Sequence, residues 1–172
     1  MAFATTRVAV VSTPAVRSAS FDELTARTFH DIVRLRLDTF VVEQRCPYPE
    51  LDGRDILPTT RHLWIEKDGE VVAYLRLYLG ADGSSWIGRV ATAPGQRGRG
   101  LAASLMRSAL ATAPRPVRIS AQVRLEGWYA GFGFTRCGGD FLEDGMPHAP
   151  MVLEDPGSPP AEELDADALG ER

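Results

Sequence analysis

Cysteine is scarce in this sequence: only Cys46 and Cys137 occur among 172 residues. Two cysteines are too few for a disulfide framework, and neither stands in a Cys-x-x-Cys pair or a cluster with histidine, so no metal site is indicated. The sequence therefore predicts two free thiols in a reducing compartment, the cytoplasm, and no metal cofactor.

Long apolar runs are absent as well. No stretch approaches the roughly 20 residues that a membrane-spanning helix needs, which argues against an integral membrane protein. The apolar run at residues 8–11 is too short for a secretory signal. With 44% hydrophobic residues, the length fits one domain with a sizeable core.

Positive charge is sparse but unevenly distributed. Residues 154–172 hold seven acidic residues and one basic residue, so the remaining eighteen basic and sixteen acidic residues give the body a charge of +2. A mildly basic body suits a small polyanionic ligand and lacks the strongly basic face of a nucleic-acid binder. We predict an N-terminal extension over residues 1–20 (poorly ordered, or an extra strand), a folded domain over 21–153, and a disordered acidic tail containing proline and glycine over 154–172.

The hydrophobic periodicity predicts both helices and strands. An amphipathic helix is expected over residues 25–40, and helices are also expected after residue 100 and over 125–131. Strands are expected at residues 62–66, 71–77, 86–92, 117–123, 134–137 and 151–153, the first two joined by a hairpin turn. This order predicts an α/β fold, a mixed sheet with helices on both faces.

A glycine-rich loop connects the strand at residues 86–92 to the next helix. The first backbone N–H groups of a helix have no internal partner and lie at the positive end of its dipole. Gly98 and Gly100 allow successive N–H groups to face one concavity, and Arg97 and Arg99 add positive charge at its rim. The loop therefore predicts a phosphate or pyrophosphate site.

Two common phosphate-binding loops do not fit this segment. Leu101, Ala102 and Ala103 follow Gly100, so both the lysine–hydroxyl pair of GxxxxGK[ST] and the third glycine of GxGxxG are missing. An RNA-binding Arg-Gly patch is an alternative, although few aromatic residues flank the loop.

The motif RGRGLA at residues 97–102 resembles the R/Q-x-x-G-x-G/A pyrophosphate motif of the GNAT family of N-acetyltransferases. A second match follows in the right order, since WYAGFGF at residues 128–134 resembles the family's FYxxxGF segment. Residues 35–44, 46–53, 61–64 and 141–148 further resemble its ElaA subgroup. The resemblance covers about residues 21–153 and implies the family's fold, with a mostly antiparallel central sheet.

The resemblance implies acetyl-CoA as cosubstrate and direct transfer of its acetyl group to an amine of a small molecule or protein within a ternary complex. Tyr129 matches the family's general acid, which protonates the leaving thiolate; the alternative is a packed aromatic ring. The cofactor-binding residues implied by the family motifs are Val90, Ala91, Thr92, Arg97, Gly98, Arg99, Gly100, Leu101 and Ala102. The backbone N–H groups of the first three are the family's donors to the thioester carbonyl.

The sequence indicates several candidates for the general base. They are Glu43, Asp52, Asp55, His62, Asp140, Glu143 and His148. We select Glu43, because it closes the first amphipathic helix at the start of the acceptor-side loop; the alternative is a solvated or structural carboxylate.

Three other functions stay open at this point. They are a non-catalytic acyl-CoA-binding module, an RNA-binding protein, and a homoserine-lactone synthase, whose entry segment carries an Arg-x-x-x-Phe-x-x-Glu arrangement like residues 36–43. The expected partners are acetyl-CoA and an amine acceptor, with no nucleic acid and no membrane. The oligomeric state is left open, a homodimer included.

Overall fold

One eight-stranded sheet organises the protein, which is represented by a computed structural model that describes residues 15–156. The strands are β1 (Val16–Ala19), β2 (Arg61–Lys67), β3 (Glu70–Leu79), β4 (Ser85–Thr92), β5 (Val117–Gln122), β6 (Thr135–Arg136), β7 (Phe141–Glu143) and β8 (Met146–Leu153). Their order is β1-β2-β3-β4-β5-β8-β6, with β7 also paired to β8. Only β4 and β5 are parallel, so the predicted mostly antiparallel sheet is confirmed.

Helices cover both faces of this sheet, as predicted. The α-helices are α1 (Ala26–Arg36), α2 (Leu101–Leu110) and α3 (Glu126–Ala130). A π-helical segment, Leu37–Glu43, continues α1. Short 3-10 turns lie at Phe21–Glu23, Arg54–Ile56, Pro94–Gln96 and Val123–Leu125. No helix within residues 15–156 combines the length and apolarity needed to cross a bilayer.

The first strand lies inside the predicted N-terminal extension, for which an extra strand was one of the two expectations. β1 pairs antiparallel with β2, with Val16 opposite Ile65, and so extends the sheet to before residue 21. Residues 1–14 and 157–172, which hold the rest of the predicted extension and most of the predicted acidic tail, lie outside the described part of the chain.

Each face of the sheet has its own apolar cluster. On one face Leu105 and Met106 of α2 are fully buried in a cluster that includes Leu75 and Ile119. On the other face Ile32 and Leu35 of α1 pack with Trp64 and Tyr74. Thr25 caps the N-terminus of α1, and its hydroxyl accepts from Thr28 N at 3.0 Å. The α-helix ends earlier than the predicted residue 40, because the wider π-helical turn takes over at Leu37.

The C-terminal strands differ most from the prediction. The predicted strand at 134–137 is reduced to two residues, β7 was not predicted, and β8 begins at Met146 rather than at residue 151. Pro147 and Pro150 lie within β8. Because proline lacks the N–H donor of a strand ladder, its presence hid this strand from a sequence-based interpretation.

The strands β4 and β5 separate after a short contact. They pair only at Ser85–Val117 and Trp86–Arg118. Strand β5, by contrast, stays paired with β8 from Val117–Leu153 to Gln122–His148. The sheet therefore opens into a cleft between β4 and β5, directly below the loop that begins α2.

Candidate active site

A groove of about 1000 Å³ occupies this cleft and extends along β3 and β4. Its walls come from the π-helical segment, the loop after it, the glycine loop, the end of β5, α3 and the start of β8. The predicted cofactor-binding residues and the two predicted catalytic residues all line it, except Arg99. Arg99 is exposed and belongs to the outer surface of the loop.

The glycine loop forms an open cradle at one end of the groove. Gly98 and Gly100 have left-handed φ angles of 73° and 75°, which side chains rarely adopt. A Cβ placed on either glycine would meet no protein atom within 4 Å. Gly100 is the residue before α2, and no side chain caps this helix, so its first N–H groups remain available to a ligand. The cradle therefore fits a pyrophosphate group.

Arg97 joins the cradle to the acceptor-side helix. Its guanidinium donates to both carboxylate oxygens of Glu43, at 2.8 and 2.7 Å, and its Nε donates to Thr92 O at 3.0 Å. The hydrogen bonds from Arg97 hold the pKa of Glu43 below its usual range. A carboxylate with both oxygens bound to an arginine is a poor proton acceptor. The geometry therefore favours a structural role for Glu43, which connects the π-helical segment to the cradle.

Strand β4 carries a bulge where the thioester is expected. Its register with β3 shifts between Tyr74–Ala91 and Arg76–Gly88, and Arg89 in this irregularity has a left-handed φ of 55°. Beyond Trp86 the edge of β4 that faces β5 has no strand partner within the described residues 15–156. Val90, Ala91 and Thr92 therefore offer backbone groups to a ligand lying in the cleft.

Tyr129 lies on α3 at the boundary between core and groove. Its ring packs edge-on against Trp128 and Phe134, with centroids 4.8 and 6.1 Å away, and the residue is 7% exposed. Burial raises the pKa of its phenol, which therefore stays protonated at neutral pH. Such a group can donate a proton, and it is also part of the core.

A buried charge network, defined as Arg36, Glu50, Asp52, Asp55, Arg76 and Arg89, supports the acceptor side of the groove. Arg36 is fully buried and donates from Nε to Glu50 Oε1 at 2.5 Å and from Nη1 to Asp55 Oδ1 at 2.7 Å. Arg76 donates to the same Asp55 oxygen at 3.1 Å and to Asp52 at 2.6 and 2.8 Å. These contacts fix the loop after the π-helical segment on β3.

The network decides the charge states of its carboxylates. Burial alone would raise the pKa of Asp52, but hydrogen bonds and charge from Arg76 lower it to about 2. Burial likewise opposes ionisation of Asp55, and its bonds to Arg36 and Arg76 outweigh that effect and lower its pKa. Two candidate bases of the sequence are therefore ion-paired structural groups.

Two further candidate bases, His62 and Asp140, bind other groups and do not line the groove. His62 is fully buried and lies 2.8 Å from the Tyr74 hydroxyl and 3.0 Å from Asp55 O. Because a carbonyl only accepts, Nε2 donates to Asp55 O and Nδ1 accepts from Tyr74; burial lowers the pKa of His62. Asp140 is paired with Arg136 on the surface.

His148 is a candidate base that lines the groove, as Glu43 and Glu143 also do. It lies on β8 directly opposite Gln122 of β5, and both residues line the groove. Its Nδ1 is 2.9 Å from Met146 O, so Nδ1 carries the proton and donates to that carbonyl. Its Nε2 is therefore the basic nitrogen, and Glu143 Oε2 lies 3.9 Å away from it.

Neither cysteine carries chemistry in this arrangement. Cys46 and Cys137 are free and buried, and Cys46 Sγ donates to Asp144 O at 3.1 Å. Residues 15–156 contain no group of three or more potential metal-ligating His, Cys, Asp or Glu side chains.

The sequence over residues 30–155 matches the profile of the acetyltransferase (GNAT) domain. This chain belongs to the GNAT acetyltransferase family. GNAT domains catalyse acyl-CoA-dependent acyl transfer.

The relatives are similar over most of their length. The chain is 47% identical over 151 residues to the UPF0039 protein Rv2851c of Mycobacterium tuberculosis, covering 85% of this chain and 96% of the relative. It is 36% identical over 139 residues to ElaA of Escherichia coli, covering 77% and 91%. The resemblance to the ElaA subgroup is confirmed.

Solved structures agree with these relationships. The crystal structure of Escherichia coli ElaA matches with a TM-score of 0.77 at 34% identity, covering 83% of this chain and all of that one. An acyl-CoA N-acyltransferase from Pseudomonas aeruginosa matches with a TM-score of 0.76 at 38% identity, covering 80% and 98%.

Proposed function

We propose that this protein is an acetyl-CoA-dependent N-acetyltransferase. The observation that carries the proposal is the continuous groove that begins at the cradle of Gly98 and Gly100, follows the unpaired edge of β4, and reaches Tyr129 and His148. The length and direction of this path suit an extended cofactor with a pyrophosphate at one end and a thioester at the other.

Acetyl-CoA supplies an acetyl group activated as a thioester. In our proposal, first-turn N–H groups at Gly100–Ala102 bind its pyrophosphate, and backbone N–H groups at Val90–Thr92 stabilise the charge that develops on the carbonyl oxygen. As the acceptor nitrogen bonds to the acetyl carbon and the carbon–sulfur bond breaks, Tyr129 donates its proton to sulfur.

His148 is our preferred general base. Its Nε2 accepts the proton that the acceptor amine loses, and Glu143 at 3.9 Å gives this proton a route to solvent. Return of one proton from solvent to the Tyr129 oxygen restores the site. Glu43, the base chosen from sequence, has both oxygens bound to Arg97, which leaves it as the weaker candidate.

The cofactor assignment can be tested at the cradle. Gly100→Ala places a methyl group in the open space and forces alanine into a left-handed φ, so we expect acetyl-CoA affinity to fall by about tenfold or more in calorimetry. Gly69→Ala is a matched control, because Gly69 has φ 80°, has the same open surroundings and does not line the groove. Equal affinities in the two folded variants would contradict the assignment.

Turnover distinguishes the enzyme from a non-catalytic acyl-CoA-binding module. A thiol-release assay with acetyl-CoA and a panel of amino acids, polyamines, aminoglycosides and peptides should reveal an acceptor that increases the rate above hydrolysis. Tight cofactor binding with no transfer to any member would favour the binding module. The cytoplasmic location stays a prediction.

A further inference from the structure

The groove has an outer half, beyond the bulge of β4, with walls of opposite charge. On the β3–β4 side Arg54, Arg76 and Arg89 line the groove, and so does Asp82 of the β3–β4 turn, whose Oδ2 lies 3.7 Å from Arg118 Nε. On the β8 side they are Glu143 and Asp144, next to His148. A molecule that lies between these walls meets donors on one side and acceptors on the other.

The arginines of the positive wall are held by carboxylates on the side away from the groove. Glu50, Asp52 and Asp55 bind the arginines but do not themselves line the groove. These three carboxylates therefore hold the guanidinium groups from behind, and the surface around Arg89 presents N–H donors and the ring of Tyr48. An anionic group finds complementary partners there, whereas a second cation does not.

Arg89 has a donor nitrogen to spare. Its Nε lies 2.9 Å from Glu50 Oε2 and its Nη2 lies 3.5 Å from Asp52 Oδ2, while its Nη1 makes no hydrogen bond to any residue within 15–156. The side chain is 20% exposed, and its guanidinium carbon lies 5.5 Å from the centroid of the Tyr48 ring. Arg89 is thus positioned by three neighbours and open on one side.

The backbone at Arg89 points to the same conclusion. A left-handed φ of 55° in the middle of a strand is strained for a residue with a side chain, and such strain persists only where the surrounding contacts hold it. Arg89 immediately precedes Val90, the first residue of the expected thioester-binding edge. The bulge therefore places a guanidinium beside the reacting groups.

Two hydrogen bonds connect the two sides of the groove. Cys46 Sγ, on the loop of the positive side, donates to Asp144 O of the β7–β8 turn at 3.1 Å. Gln122 Nε2, at the end of β5, donates to Gln44 Oε1 at 3.2 Å. Because Gln122 pairs with His148 in the sheet, the second contact joins the positive side to the strand pair that carries His148.

We propose that the acceptor is a zwitterionic amine, a small molecule of the amino-acid class, whose carboxylate binds Arg89 while its amine faces His148 and Glu143. This inference rests on the proposed acetyltransferase function and adds the class of acceptor. Polyamines, which carry only positive charge, would meet the arginine wall without a partner.

Matched acceptors test this inference in the wild-type protein. The probes are the common amino acids, their carboxamides and the corresponding amines without the carboxyl group, each assayed by thiol release at saturating acetyl-CoA. We expect at least one amino acid to be acetylated with a kcat/KM about tenfold or more above both of its matched derivatives. Better turnover of the carboxamides or plain amines, or no response to any amino acid, would overturn the proposal.

Variants then assign the recognition to one residue. Arg89→Gln should raise the KM of the preferred amino acid by about tenfold or more with a much smaller effect on its carboxamide, and Arg89→Lys should restore part of the loss. Arg17→Gln, on exposed β1, is the control. An equal loss for both acceptors in folded Arg89→Gln would count against carboxylate binding. Acetyl-CoA affinity, measured separately, reports whether the cofactor site itself has failed.

Discussion

The cofactor side and the acceptor side of the groove are built by different means. The cofactor side consists of backbone groups from one continuous stretch, residues 90–102, and its key features are two left-handed glycines and a helix start. The acceptor side consists of side chains that are brought together from α1, a loop, β3 and β4. Local backbone geometry is therefore enough to form the cofactor side, whereas the acceptor side forms only when the whole fold brings its side chains together.

The largest expected effect is a loss of the buried network. Arg36→Met leaves Glu50 and Asp55 buried without that guanidinium, and we expect the free energy of unfolding at pH 7 to fall by about 3–5 kcal/mol in urea titrations. Arg17→Met, which breaks the exposed pair with Glu66, should cost less than about 1 kcal/mol. A cost for Arg36→Met as small as that of the control would show that the network is not a support of the acceptor side.

The next largest effect concerns the proton donor. Tyr129→Phe keeps the ring but removes the hydroxyl, so kcat should fall by about a hundredfold or more while acetyl-CoA affinity is preserved. Tyr74→Phe is a matched control, because it removes a different buried hydroxyl that binds His62 and does not line the groove. The control should lose stability and keep its kcat. If Tyr129→Phe retains kcat within about twofold, Tyr129 is a packing residue.

A smaller and pH-dependent effect is expected for the base. His148→Gln should lower kcat/KM by about tenfold or more near neutral pH, and the loss should narrow as the pH rises, because the acceptor amine then loses its proton without help. Glu43→Gln should leave the shape of the pH profile unchanged. The opposite pattern, with the acidic limb altered by Glu43→Gln, would restore Glu43 as the base.

The smallest effect is a dependence of stability on pH. Burial lowers the pKa of His62, so the folded state binds fewer protons than the unfolded state below the ordinary histidine value of about 6.5. Stability is therefore full above that pH and is lost as the pH falls. The lowered pKa of Asp52, about 2, adds a further loss between about pH 4 and pH 2. The Tm difference between wild type and His62→Gln should shrink from pH 7 to pH 5; a constant difference would contradict this assignment.

Sequence reasoning recovered the elements with local signals. The hairpin turn at Asp68 and Gly69 has two left-handed residues, φ 53° and 80°, as its Asp-Gly sequence indicates. The glycine cradle was found for the same reason. The π-helical turn was missed because one extra residue per turn leaves no mark in a helical periodicity, and β8 was hidden by its prolines.

The acceptor side was not predictable in the same way. Asp52, Asp55 and His62 were candidate bases because their residue types suit that chemistry, and the structure shows them bound to arginines or buried in the core. Arg89 was missed altogether, although Gly88 beside it, inside a predicted strand, is a residue that often marks a bulge. The other available hint was the concentration of acidic residues in the loop at 50–55, opposite arginines 14 to 39 positions away in sequence.

The amino-acid sequence by itself determined the fold family, the glycine loop and the position of Tyr129 on a helix, because these depend on short motifs whose backbone conformations are set by glycine and hydrophobic periodicity. Only the tertiary structure decided which charged groups are structural, which nitrogen of His148 is basic, and which arginine faces the groove. Those properties depend on partners that are distant in sequence. In a buried site, the presence of such a partner determines whether a group is charged.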